Sequence, residues 1–205
     1  QCALCWKGLF ESAALSARFR LAAFDIRGHG ASDKPTDRAR YQDDRTFADD
    51  IKAVMTTLGL KRPVLVAWSY AGRLVSDYVT AFGTRDIAGI NYVCARTNND
   101  PAFSGPGTDF IAAMIRDDPV AAETATRAFI RDCFAAEQPR ALLDAVYDYN
   151  MIVPAVVRSH HIRRPPSDGS ILSMLDIPVL VTQGGADRLV LKGLGEWTAR
   201  VVPGA

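Results

Sequence analysis

At 205 residues, with 24 lysines and arginines against 23 aspartates and glutamates, the chain carries a formal charge of +1 and is long enough to bury a sizeable interior in one large domain. Apart from HIRRPP, residues 161–166, its basic residues are scattered, so neither nucleic acid nor an anionic lipid surface is expected as a partner. No apolar run approaches the roughly 20 residues of a membrane span, and the opening QCALCWKG lacks the basic region and long apolar run of a signal peptide; a soluble, cytoplasmic protein is expected.

Cys2 and Cys5 form a C-x-x-C pair without the second close pair of a zinc site and without the preceding strand of a thioredoxin-like motif. With Cys94 and Cys133 they read as free, mostly buried thiols of a reducing compartment, and neither metal nor cofactor is expected. RLAAFD, residues 20–25, reads as a short buried strand leading into IRGHGASDKP, a loop marked by two glycines and a proline. Phe47, Ile51, Val54, Met55 and Leu58 then recur at helical spacing, with Thr46 and Asp49 placed as a capping box and Gly59 as a stop. Asp43, Asp44, Asp49 and Asp50 suit the solvated face of that helix better than a cation site, because no glycine-turn calcium pattern accompanies them.

PVLVAW, residues 63–68, is a second buried strand. Leu74, Val75, Tyr78, Val79 and Phe82 mark a helix after it that stops at Gly83, and IAGINYVCA, residues 87–95, is a third strand. Strands separated by helices indicate a parallel sheet covered on both faces. Near residue 98 the alternation stops. Residues 101–174 are helical in pattern, with starts near Thr108, Pro119, Pro139 and Pro154. IPVLVTQ, residues 177–183, then forms a fourth strand, followed by a glycine turn holding Asp187 and by another helix. Neither an internal repeat nor a low-complexity tract is present.

The chemistry concentrates at VLVAWSYAG, residues 64–72. A strand that turns abruptly into a helix at a serine strains that serine's backbone and lifts its hydroxyl out at the carboxyl edge of the sheet. The turn needs small residues two before and two after the serine. Here they are Ala67 and Ala71, the least intrusive replacements for the glycines of Gly-x-Ser-x-Gly. Ser69 is therefore a candidate nucleophile, the alternative being a serine that caps the helix after it.

FDIRGHGASDKP, VLVAWSYAGRLVSDY, a helical insertion and IPVLVTQGGADRLV, in that order, resemble the α/β-hydrolase superfamily, and more narrowly its esterase, perhydrolase and cofactor-free haloperoxidase members. The resemblance runs from about Trp6 to Val202. It implies an α/β fold with a mostly parallel sheet flanked by helices, residues 1–100 and 175–205 forming the core and residues 101–174 a helical lid inserted before the last strand. By position it makes Ser69 the nucleophile, the Tyr70 N–H one oxyanion donor, and Asp187 the acid that orients a catalytic histidine. Trp68, Phe110 and Met114 would line the pocket, and His29 would support the site from the RGHG loop. The family's second oxyanion donor, and a strand between RLAAFD and PVLVAW, would lie upstream of Gln1. Its histidine would lie beyond Asp187, where this sequence has none, so a fragment cut at both ends is expected.

Asp187 has an alternative as a turn aspartate bonding its own backbone, and Asp100, which also follows a strand, is the second choice of acid. His29 reads as a hydrogen-bonding prop. His160 and His161, beside Arg163 and Arg164, read as a basic cluster at the negative end of a helix. The activity implied is hydrolysis of carboxylic esters or related acyl compounds: Ser69, deprotonated by a histidine held by Asp187, attacks a carbonyl and forms an acyl-enzyme that water cleaves. Phe110, Ile111, Met114 and Phe129 suggest a small or medium hydrophobic acyl substrate. Position 69 lacks the aspartate that the family's dehalogenases and epoxide hydrolases need. The rival is a non-catalytic protein that holds a small ligand on the same fold.

Overall fold

The computed structural model describes residues 2–116 and 118–205. Up to Gln42 the chain forms short helices: α1 (Lys7–Phe10), α2 (Ala13–Ser16) and α3 (Ala39–Gln42). Then α4 (Asp44–Thr57), β1 (Val64–Trp68), α5 (Ala71–Phe82) and β2 (Gly89–Val93) alternate. Next come α6 (Asp109–Ala113), α7 (Pro119–Asp132), α8 (Arg140–Met151) and α9 (Ala155–Ile162), and the chain returns through β3 (Val179–Thr182) to α10 (Lys192–Val201). The strands lie in the order β1-β2-β3, all parallel.

The register sets Leu65, Ile90 and Val179 in one row and Ala67, Tyr92 and Val181 in the next. This face belongs to one core with Ile51 and Met55 of α4 and Val75, Tyr78 and Val79 of α5, two helices that each carry an apolar stripe. The other face presents Val64, Val66 and Leu180, exposed by 58%, 49% and 59%. The sequence expects cover on both faces; among the described residues one face is covered. The Trp68 end of the bare face is met by Trp6, edge-on at 5.9 Å.

The strand expected at residues 20–25 does not form. A strand exists through its ladder, and β1 pairs with β2 on one side and, among the described residues, with no strand on the other. The segment is pinned at its end instead, where the Asp25 carboxylate accepts the N–H groups of Ala3 (2.6 Å) and Ala31 (2.7 Å). The capping box at Thr46 and Asp49 is also corrected. α4 starts earlier, capped by Asp43, which accepts the Arg45 N–H at 2.8 Å, and an extended aspartate is among the best N-caps. The later helices do begin at their prolines: Pro119 opens α7, and Pro139 and Pro154 precede α8 and α9. The four cysteines form no disulfide among the described residues, with Cys2 buried and the other three half-buried.

Candidate active site

β1 ends at Trp68 and α5 begins at Ala71, leaving two residues for the reversal. Ser69 takes φ 54, a left-handed conformation that costs an L-residue about 1–2 kcal/mol. The turn is held from three directions. The Ser69 N–H donates to the Val93 carbonyl (3.0 Å), and its own carbonyl accepts from the N–H groups of Gly72 (3.0 Å) and Arg96 (2.8 Å). Gly72 permits this approach, since a Cβ there would stand 2.8 Å from the Ala95 Cβ and 3.1 Å from the Arg96 nitrogen. The residue at the N-cap of α5 is Tyr70, with no side-chain capping bond, so Ser69 does not cap the helix. Among the described residues neither the Ser69 Oγ nor the Tyr70 N–H has a hydrogen-bond partner, which leaves a hydroxyl and a helix-start donor side by side.

Asp187 follows β3 on the same carboxyl rim. Its Oδ1 accepts the N–H groups of Leu189 (2.8 Å) and Val190 (2.9 Å), and its Oδ2 faces the Gln183 Nε2 at 3.4 Å. It is thus a turn aspartate, and the turn holds one carboxylate oxygen away from the backbone. The loop is stitched to residues 103–107: Leu191 donates to Phe103 (3.0 Å), Gly105 to Leu189 (3.1 Å) and Gly107 to Arg188 (2.9 Å). Cys94, at the end of the central strand, has φ 43, and its Sγ accepts the Gly184 N–H at 3.4 Å. Burial, with a smaller contribution from Asp187, raises its pKa. Asp100, the second choice of acid, is exposed and caps the turn at Pro101–Phe103 through the Ala102 N–H.

The histidines gather elsewhere. His29 Nδ1 and His161 Nε2 both lie against the Arg27 carbonyl, at 3.2 and 3.3 Å, with their rings 4.9 Å apart. The His161 ring also meets Tyr41, Tyr70 and Phe47 at 5.0, 5.4 and 5.6 Å. Burial in this cluster pushes His29 down to about 3 and His161 to about 4, so both are neutral at neutral pH. His160 Nε2 lies 2.9 Å from the Thr36 carbonyl. His160 and His161 do lie in the last turn of α9, as expected, but their rings face the loop at residues 27–36, and among the described residues none of the three histidines bonds Ser69.

Of the expected pocket residues, Trp68 is half-buried against Trp6, and Phe110 and Met114 are half-buried on and just after α6. Two shallow concavities lie at the opposite, amino edge of the sheet. One, of about 240 Å³, is lined by Lys52, Met55, Leu60 and Asp86 among others, and one of about 530 Å³ by Arg62, Thr84, Arg85, Asp176 and Ile177. Among the described residues no group of three or more histidines, cysteines or acids is placed to hold a metal.

Sequence reasoning missed a buried charge network beneath the turn. The Arg164 guanidinium donates to the Asp77 Oδ2 (2.7 Å), to Asp44 and to the Tyr70 hydroxyl (3.0 Å), and lies over the Phe47 ring at 4.3 Å. Arg73 joins it through Asp44 (3.1 Å) and the Pro165 carbonyl. Read linearly, Arg164 is one basic residue of HIRRPP, and Asp44 belongs to an acidic run that the sequence assigns to solvent, where its side chain does stay 57% exposed while it accepts from both guanidiniums. Asp50 of that run is half-buried and pairs with Arg27 at 2.8 Å. The available signal was Arg73 and Asp77, two charges at i, i+4 on a helix whose other residues are apolar enough to be buried, which calls for charged partners.

A parallel sheet with flanking helices and a strained serine between strand and helix at its carboxyl rim defines an α/β protein of hydrolase type. The family model of the alpha/beta hydrolase fold matches residues 3–118, and the chain belongs to that family. The AB hydrolase superfamily protein YisY of Bacillus subtilis (strain 168) is 30% identical over 128 residues, 62% of this chain and 41% of YisY; the match spans well under two thirds of that relative. The esterase RhEst1 from Rhodococcus sp. ECU1013 superposes with a TM-score of 0.89 at 31% identity, covering 99% of this chain and 75% of that one. Bromoperoxidase from Bacillus anthracis, at 22% identity and a TM-score of 0.78 over 92% of this chain and 72% of its own, shares the fold. Among the described residues no helix is long and apolar enough to cross a membrane.

Proposed function

We propose that this chain carries the nucleophile and the acid of a serine hydrolase acting on carboxylic esters or related acyl compounds with small or medium hydrophobic acyl groups. The observation that carries the reading is Ser69 at φ 54, fixed by three backbone hydrogen bonds while its Oγ is left unbonded. In this reading the Ser69 Oγ attacks the acyl carbonyl, the Tyr70 N–H donates to the oxyanion, and collapse expels the alcohol and leaves an acyl-serine that water cleaves. Asp187 orients the imidazole that takes and returns the proton. His29, His160 and His161 are engaged with the Arg27 and Thr36 carbonyls, so the proposal assigns the base to an imidazole outside residues 1–205. Residues 101–174 act as a lid, with Phe110, Met114 and Trp68 on the acyl side.

The test supplies the base from solution. A serine without its histidine is slower by about 10⁶ in turnover, so the 205-residue chain alone should cleave p-nitrophenyl acetate barely. Added imidazole should raise the rate above that of Ser69→Ala, the control for cleavage by imidazole itself, and Asp187→Asn should lower the gain. Fluorophosphonate should label Ser69 under the same conditions. Equal rates for the chain and Ser69→Ala at every imidazole concentration, with no label, would remove the nucleophile.

A further inference from the structure

Tyr70 is fastened at both ends. Its main chain completes the turn at Ser69, while its hydroxyl accepts an N–H from Arg164 at 3.0 Å and its ring stands edge-on to His161 at 5.4 Å. Arg164 is itself immobilised. Its side chain has no exposed surface, and its fork is bonded to Asp77 of α5 and Asp44 of α4 with its plane over Phe47 of α4. Arg73 braces the same carboxylates and reaches the carbonyl of Pro165, the residue after Arg164. Two guanidiniums face two carboxylates, Asp77 buried with them and Asp44 closing the network from the surface, where its side chain is 57% exposed.

Adhesion alone does not account for this arrangement. Replacing a buried ion pair by packed apolar side chains is often neutral or stabilising. What a guanidinium does better than an apolar side chain is to fix the direction and distance of several acceptors at once. Three acceptors are so fixed here: two carboxylates that anchor the fork, and one phenol, which belongs to the residue after the candidate nucleophile.

We propose that Arg164 is a positioning residue for Tyr70, holding its phenol so that the main chain between Ser69 and Tyr70, and with it the direction of the Tyr70 N–H, is fixed. The inference rests on the reading of that N–H as the oxyanion donor. Arg164 follows α9, so the seating of α9 and its following segment on α4 and α5 and the alignment of the donor become one event.

Tyr70→Phe is the sharpest test, because it keeps the ring and the N–H and removes only the link to Arg164. Arg164→Lys keeps the charge and removes the fork. Two measurements are made on the 205-residue chain. In ¹⁵N-labelled protein, the amide resonances of Ser69, Tyr70 and Ala71 should broaden or split in both variants while those of α7 stay unchanged. In imidazole-assisted hydrolysis of p-nitrophenyl acetate, the Ser69-dependent kcat should fall about tenfold with KM within about twofold, a part of the ~10²–10³ attached to a whole oxyanion donor. Unchanged amides at residues 69–71 in Tyr70→Phe overturn the proposal whatever the rates do. A rise in KM with kcat intact overturns it as well. Should the parent and Ser69→Ala hydrolyse equally, the hydrolase reading fails, and the amide measurement still decides whether Arg164 positions the turn.

Discussion

Acidification from pH 7 to pH 5 should remove a large part of the stability of this chain through His29 and His161. Burial is the main cause that lowers them to about 3 and about 4, and the nearby Arg158 and Arg164 cations oppose a charge on His29 and His161 respectively. In the unfolded chain each titrates near about 6.5. The folded values are depressed, so the unfolded chain binds more protons and stability rises with pH. The contribution is complete above about pH 6.5 and is lost as the pH falls toward the folded values. At pH 5 an unfolded histidine is about 97% protonated, whereas the folded pair is about 10% or less, and linkage then gives ~2 kcal/mol per histidine, ~4 kcal/mol together. That is a large fraction of the ~5–15 kcal/mol that holds a typical domain.

The assay is urea unfolding followed by tryptophan fluorescence at several pH values from 7 to 5. Near pH 5.5 the parent should lose ~2.5 kcal/mol per pH unit, and His161→Gln about half of that. Ordinary carboxylates titrate below this window; burial raises Asp77 toward it, and the comparison with His161→Gln, which keeps Asp77, isolates the imidazole. A parent whose unfolding free energy is flat from pH 7 to 5, or a His161→Gln variant with the parent's slope, refutes the buried neutral imidazoles.

Three further outcomes are expected. Arg164→Met leaves Asp77, 7% exposed, without its main partner and should cost ~3–5 kcal/mol in denaturant unfolding; adding Asp77→Leu should restore most of it, since a buried pair costs more to break than to replace. Gly72→Val drives a side chain into Ala95 and the Arg96 backbone; it should cost ~1–3 kcal/mol and shift the Ser69 and Tyr70 amide resonances. Arg62, exposed at φ 48 between α4 and β1, pays a left-handed strain that glycine does not, so Arg62→Gly should gain up to ~1 kcal/mol, a rise in Tm of ~2–4 °C, and Arg62→Val should lower Tm.

The sequence by itself determined the elements whose causes are local. A β-prone run, Ala67 and Ala71 around Ser69, and Gly72 just beyond lie within nine residues, enough to specify a strand that turns sharply into a helix, and the serine does sit at φ 54. Prolines likewise announced the starts of α7, α8 and α9, because a fixed φ and a missing N–H suit a helix start wherever the rest of the chain lies. Tertiary structure decided what depends on a partner. RLAAFD has the composition of a strand, but a strand is a property of a pair, and no strand pairs with it among the described residues. Arg164 reads as a surface cation, and its burial follows from Asp77, Asp44 and Tyr70 arriving from two other segments. His161 reads as a helix-end base, yet Tyr41, Phe47, Tyr70 and His29 close around it and keep it neutral. In each case the deciding quantity is the free energy of desolvation against pairing. That depends on which groups meet in space, and such meetings between distant segments leave no period or spacing in the chain.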